Sequence, residues 1–256
     1  MKIFVLTQED AFYIPRILDL MFERRRDIVG VGIVPGELRR GHALKYLSMM
    51  GPRDFALQLG NLAFHRFMDL WGRFTTGARS YSVTGAARRA GVPSEVVPKV
   101  NDPEFSQRLE SLGVDLIVSI ACPQKIGARL LALPSRGCIN LHGALLPRYQ
   151  GMLPSFWVLA KGEQQTGVTV HWMDEKLDHG DVLLQEHLAI EPADTVHSLV
   201  LRSKVELGRH LLLRAIDLIE RGVAPRQPMD LSKASYFSYP DPAAIAEFRA
   251  RGRRFI

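Results

Sequence analysis

The run 114–121, Val-Asp-Leu-Ile-Val-Ser-Ile-Ala, limits the possible folds more than any other stretch of this chain. It is apolar almost throughout and is closed by Pro123, so it reads as a strand buried on both faces. Strands of that kind sit in parallel sheets covered by helices. Residues 2–6 (Lys-Ile-Phe-Val-Leu) and 28–34 (Ile-Val-Gly-Val-Gly-Ile-Val) read the same way. Between those two runs lies an amphipathic helix with Pro15 near its start, reaching about Arg26. Leu18, Leu20, Met21 and Phe22 form its apolar side.

The alternation continues along the chain. Residues 81–83 read as a short third strand and 85–90 as a helix. Asp102 is placed to cap a helix reaching about Leu112. A short helix over 126–133 leads to a strand at 137–142. The helix at 155–161 is stopped by Gly162, and strands follow at 166–173 and 182–190. Asp194 or Thr195 then caps a long amphipathic helix that ends near Arg221 and Gly222. This order predicts an α/β fold, a doubly wound, mostly parallel sheet with right-handed crossovers. Ligands of such sheets sit beyond the carboxyl ends of the strands. The expected division is a catalytic domain over 1–222 and a C-terminal tail over 223–256.

Residues 35–80 leave this rhythm and read as a helical insertion, with helices at 43–50 and 55–71. Leu57, Leu59, Leu62, Phe64, Phe67, Met68 and Leu70 make the second helix unusually apolar. It suits packing on the domain, a substrate cap or a homodimer surface. With Arg66 and Arg73 beside Phe64, Phe67 and Trp71, it also suits a membrane surface.

Composition removes several classes. Apolar residues make up 46% and charged residues 23% of the 256, as in an ordinary soluble domain. No apolar run approaches the roughly 18 residues of a membrane span, and the start lacks a signal-peptide pattern. Cys122 and Cys138 lie in apolar, strand-like surroundings, as expected of reduced thiols in a cytoplasmic protein. The net charge of +6 invites a nucleic-acid reading. However, the arginines at 24–26, 39–40, 88–89 and 249–254 are dispersed and not interleaved with aromatics. They fit a solvated surface, serving a phosphorylated substrate, better than a nucleic-acid interface. Gly30 and Gly32 lie inside a strand and the turn at 7–10 has no glycine, so no nicotinamide cofactor is expected.

The chemistry concentrates between Cys138 and Asp181. Asn140 and His142 are two apart on a strand and so share one face. Gly143, Pro147, Gly151 and Pro154 make an irregular loop after them, and the strand 166–173 delivers Asp174 and Asp178 into a second loop. An amide, an imidazole and a carboxylate therefore converge. His142, His171, His179 and Asp181 could ligate a metal, but they form no compact ligand motif and none is expected.

Four linked elements carry a resemblance: Asn140-Leu141-His142; Ala144-Leu145-Leu146-Pro147 with Gly151; Thr166-Gly167-Val168-Thr169; and Asp178-His179-Gly180. In this order they resemble the folate-dependent formyltransferase family, which includes glycinamide ribonucleotide, methionyl-tRNA and amino-sugar formyltransferases. The likeness covers roughly 110–220. Ala144 stands where the family has Ser, and His179 where it has a small residue or Thr. The resemblance implies a catalytic trio of Asn140, His142 and Asp178. Asn140 and His142 would donate to the oxyanion, while Asp178 orients the imidazole or takes the amine proton through water. It also implies that Gln124, Lys125, Ile126, Ala144, Leu145, Leu146, Pro147 and Asp174 hold 10-formyltetrahydrofolate.

The acceptor expected is a small primary amine, first an amino sugar on a nucleotide. Methionyl-tRNA relatives carry a substantial further C-terminal domain, for which 223–256 is too short. Met152 stands where some nucleotide-sugar relatives have Arg, so the acceptor pocket is not carried over with the motif. Other readings are a methionyl-tRNA enzyme, a hydrolase of the formyl donor, or a non-catalytic protein that binds folate or a partner.

Overall fold

The computed structural model describes residues 1–36, 42–72 and 80–256. Its strands are β1 (Ile3–Thr7), β2 (Ile28–Ile33), β3 (Ser94–Val96), β4 (Leu116–Ile120), β5 (Cys138–His142), β6 (Gln150–Gly151), β7 (Gln165–Trp172), β8 (Val182–Ala189) and β9 (Tyr236–Phe237). Seven form one sheet in the order β3-β2-β1-β4-β5-β7-β8, while β6 and β9 pair separately. Neighbours from β3 to β5 are parallel; β7 runs antiparallel to both β5 and β8. β1 and β4, at the centre, are buried at every residue, as their apolar runs demand. The strand order reverses between them, where Thr7 Oγ1 donates to Ile120 O at 2.7 Å. That reversal point opens a crevice at the carboxyl edge.

The helices are α1 (Ile14–Arg24), α2 (His42–Met50), α3 (Pro52–Trp71), α4 (Val83–Ala90), α5 (Pro103–Leu112), α6 (Ala128–Leu131), α7 (Pro154–Ala160), α8 (Val196–Val200), α9 (Gly208–Glu220) and α10 (Pro242–Ala250). Asp102 caps α5 by accepting from Glu104 N, and Thr195 caps α8 through a reciprocal pair with Ser198. The long helix expected after residue 195 is interrupted. A π-helical turn, Leu201–Leu207, joins α8 to α9, and Ser203 Oγ donates back to Leu199 O there. Such turns gather at functional sites.

One expected element is wrong. Residues 81–83 are no strand: Ser82 Oγ accepts from Gly85 N and starts α4 at Val83. Glu9 receives Val83 N and Thr84 Oγ1 from outside the helix. The third strand is Ser94–Val96, which is too short and too polar to show alternation.

α2 and α3 lie in the expected insertion; Arg39, Arg40 and Arg73 fall outside the described residues. The inner face of α3 is tied to the domain. His65 Nδ1–H donates to Ala11 O at 2.6 Å, and Asp69 Oδ1 accepts from Ser82 Oγ. Its outer face leaves Leu57, Phe64, Phe67 and Trp71 exposed. Among the described residues no helix is long and apolar enough to cross a membrane.

Residues 223–256 are woven into the same body. β9 pairs with β6 in the loop after β5, and α10 packs on α7. Phe248 and Phe255 stack on Phe156 of α7, at centroid distances of 4.8 and 5.6 Å.

Candidate active site

The antiparallel pairing of β5 with β7 sets Asn140 opposite His171 and His142 opposite Thr169. The loop after β7 then folds back and places Asp178, only 6% exposed, against both strands. The three residues expected from the sequence are thus brought together. Asn140 Nδ2 donates to Asp178 Oδ1 at 3.3 Å and to His171 Nε2 at 3.1 Å. His171 can accept there because its Nδ1–H donates to Trp172 O at 2.8 Å.

His142 is enclosed between two oxygens. Its Nε2–H donates to Tyr149 O at 2.9 Å, and Nδ1 faces Asp178 Oδ2 at 3.4 Å. Asp178 Oδ2 also accepts from Gly151 N at 2.9 Å, while the carbonyl of Asp178 accepts from Gln150 Nε2. The carboxylate is therefore fixed on both oxygens. Burial alone would raise its pKa, but the His142 and His171 rings and the Gly151 N–H outweigh that and hold it well below the usual carboxylate range. Burial lowers the pKa of His142, with Asp178 pulling the other way. At neutral pH the pair is carboxylate plus neutral imidazole, with room for one proton.

The backbone around the trio is strained. Asp178 (φ 50°), Tyr149 (φ 59°), Leu153 (φ 52°) and Ala121 (φ 54°) all occupy the left-handed region without being glycine. Such residues persist where the surroundings over-determine them, commonly at functional sites. Gly151 (φ 93°) lies among them, and a Cβ there would stand 2.2 Å from Phe237 O. The motif glycine at 180 has a related cause, since a Cβ would meet Trp172 O at 2.1 Å.

The expected folate contacts divide into two groups. Leu145 and Pro147 are half-buried at the rim, whereas the side chains of Ala144 and Leu146 are buried. Thr169 Oγ1 donates to Ala144 O and accepts from Leu146 N, and Gln185 Nε2 donates to Leu146 O. Thr169 of the third element thus braces the loop of the second. Gln124 is already committed, accepting from Val100 N and donating to Pro98 O. Ile126 is a core residue, Lys125 is exposed, and Asp174 accepts from His179 Nδ1 at 2.7 Å. Leu145 and Pro147 keep part of their apolar surface accessible to a flat ring, while Gln124 and Ile126 offer it no free side chain. Among the described residues no three His, Cys, Asp or Glu side chains gather as a metal site.

Sequence reasoning missed two residues here. From the sequence His171 reads only as a possible metal ligand, because the register that sets it opposite Asn140 belongs to the pairing of β5 with β7 and not to its own strand. Lys204 gave no signal. It projects from the π turn, and its stem would lie 4.0 Å from a Cβ placed on Gly143. Desolvation lowers its pKa, while Asp178 and Asp10 act to raise it.

Residues 80–216 match the family model described as formyl transferase. A methionyl-tRNA formyltransferase of Syntrophus aciditrophicus (strain SB) is 45% identical over 152 residues, or 59% of this chain and 48% of that protein. The chain spans about half the length of the curated relatives it matches. An N-formyltransferase from Helicobacter canadensis, solved with folinic acid and dTDP-3-aminofucose, gives a TM-score of 0.63 at 15% identity, covering 100% of this chain and 81% of that one. Glycinamide ribonucleotide transformylase 1 from Symbiobacterium toebii gives 0.61 at 21%, covering 90% and 93%. At these identities the structural likeness is one of fold.

Proposed function

This chain belongs to the formyl transferase family, and on that premise we propose that it transfers a formyl group from 10-formyltetrahydrofolate to a primary amine. The observation that carries this reading is the meeting of Asn140, His142 and Asp178 at one sheet edge. When bound, the folate supplies a formyl carbonyl carried on nitrogen. Attack by an amine develops negative charge on that carbonyl oxygen and leaves a proton to be removed.

Asn140 is the donor for that charge. Its two internal bonds are long, at 3.1 and 3.3 Å, and a net protein hydrogen bond contributes only about 1 kcal/mol. A donor aimed at an oxyanion is worth about 2.7–4 kcal/mol, so turning one N–H outward is favourable. The expectation that His142 also donates to the oxyanion gives way, because Tyr149 O already holds its Nε2–H. Instead the Asp178–His142 pair accepts the amine proton. It enters at the carboxylate, would rest on Nδ1 as an imidazolium beside that carboxylate, and would pass to the folate nitrogen as the bond from that nitrogen to the formyl carbon breaks, so that tetrahydrofolate leaves with the proton. Leu145 and Pro147 wall the pterin, and the bracing by Thr169 keeps their loop in place.

A nucleotide-linked amino sugar is the first acceptor on this reading. α3 is tied to the turn after β1 through His65 and Ala11, and a neighbour of the same fold is solved with an amino-sugar nucleotide, dTDP-3-aminofucose, which supports a small molecule. A second reading, methionyl-tRNA, is supported by the 45% identity of a relative of that name. The reaction is to take place in the cytoplasm.

The test is formyl transfer and formate release, assayed with amino-sugar nucleotides, free amino acids and charged initiator tRNA. Formylated product, lost at least about a hundredfold in Asn140→Ala, His142→Ala and Asp178→Ala, is the expected result. Formate release without any acceptor would make the protein a hydrolase of the donor. Near wild-type turnover in the His142 variant would remove the mechanism.

A further inference from the structure

The insertion and the C-terminal segment meet at a cavity of about 480 Å³. Its walls are the corner between α2 and α3, from Leu47 to Asp54, and the end of α10 with the residues after it. The join is specific. Asp54, buried at the start of α3, accepts from Phe255 N at 3.1 Å, and Arg249 donates to Met49 O at 3.2 Å. The floor is aromatic, with Phe248 and Phe255 buried beneath it.

Four arginines line this space, Arg53, Arg249, Arg253 and Arg254, against one acidic residue, Asp54. Two are fixed on neutral partners. Arg249 holds Met49 O, and Arg253 donates to the carbonyls of Glu191 and Pro192 at 2.9 Å. Bonds to carbonyls anchor a guanidinium and leave its charge unneutralised. The other two, Arg53 and Arg254, are exposed and make no ion pair among the described residues. An excess of fixed and free positive charge round one concavity repels itself until a multiply charged anion enters. The planar forks of arginine match carboxylate and phosphate oxygens in pairs, and a multiply charged phosphate answers several guanidinia better than a single carboxylate does.

We propose that this cavity is a phosphate-recognition site, taking a diphosphate or a phosphodiester. Which molecule carries the phosphate rests on the formyl-transfer reading above; the site itself does not. Both acceptors considered there bear phosphates. An aromatic run connects the site to the trio: Tyr149, whose carbonyl holds His142, stacks on Phe237, then Trp157, Phe156 and Phe255 follow at centroid distances of 4.5–5.6 Å.

The experiment measures binding without any formyl donor, so loss of catalysis elsewhere leaves it readable. Inorganic pyrophosphate, UDP and bulk tRNA are titrated into the full chain by calorimetry at two salt concentrations. The Arg53→Gln/Arg254→Gln double variant removes the two guanidinia with no structural partner, so its unfolding midpoint stays at the wild-type value. Arg88→Gln/Arg129→Gln, on exposed helix positions elsewhere, carries the same change in net charge. Expected is binding that weakens with salt and at least tenfold in the first variant but not in the second. Pyrophosphate and UDP binding assigns the diphosphate of a nucleotide, whereas tRNA binding alone assigns an RNA backbone. Equal affinities in the two variants, or no binding of any probe up to about 1 mM, overturns the proposal.

Discussion

Asn140 and His171 face each other across the β5–β7 ladder, and the amide nitrogen of one lies 3.1 Å from Nε2 of the other. Since the His171 Nδ1–H is spent on Trp172 O, the unprotonated Nε2 orients the Asn140 amide with its hydrogens toward the carboxylate side. On the proposed mechanism His171 is thus a positioning residue. His171→Phe should lower kcat about tenfold while KM changes by less than about twofold, because a misaligned donor affects the transition state more than binding. A rise in KM with unchanged kcat would place His171 in binding instead. His171→Gln, which can still accept at a similar position, should restore part of the loss.

Asp178 couples the site to stability. Its folded pKa is depressed, so its contribution is complete above the unfolded carboxylate value of about 4 and is lost as pH falls through the lower folded value. Urea unfolding from pH 7 to the acid range should show wild type losing stability more steeply below about pH 4 than Asp178→Asn. Parallel curves would mean that the carboxylate is not held by its neighbours.

Lys204 bears on the pH dependence of turnover. Its charge lowers the pKa of His142, on top of the larger effect of burial. Removing a neighbouring cation makes the imidazole easier to protonate and raises that pKa. In Lys204→Met the acid limb of the kcat/KM profile should therefore move to higher pH, from a starting position below about 6.5. An unmoved limb with a raised acceptor KM would assign Lys204 to the acceptor.

Two glycines should respond in opposite directions. Gly151→Ala sets a Cβ 2.2 Å from Phe237 O at φ 93° and should cost at least about 2 kcal/mol of unfolding free energy as well as activity. Gly60, inside α3, has nothing within 4 Å of its would-be Cβ. Gly60→Ala should stabilise by roughly 0.5–1 kcal/mol through helix propensity, with turnover unchanged. Thermal and urea unfolding of both variants checks the pair.

Long apolar runs made β1, β2 and β4 readable, because a strand buried on both faces needs little more than its own sequence. The spacing of Asn140 and His142 put both on one strand face, and the resemblance picked out Asp178 and Gly180 as their partners. What stayed hidden depends on contacts remote in sequence. β3 has no apolar face of its own, and α4 starts where Ser82 and Glu9 together provide a cap. Gln124 reads equally well as a ligand group until Pro98 and Val100 are seen to occupy it. The π turn that presents Lys204 leaves the apolar periodicity of its helix nearly unchanged, so hydrophobic patterning passes over it.

The pairing of β6 with β9 also orders events during synthesis. Tyr149 N donates to Ser235 Oγ, Gln150 N to Ser235 O, and Met152 N to Phe237 O. These bonds brace the very segment whose carbonyl and amide hold His142 and Asp178. A nascent chain that has exposed the whole trio but not yet residues 235–237 therefore carries Asn140, His142 and Asp178 with their supporting loop unsecured. If the trio acts as proposed, formyl transfer awaits the making of residues 235–237, although every side chain of the trio lies before residue 179.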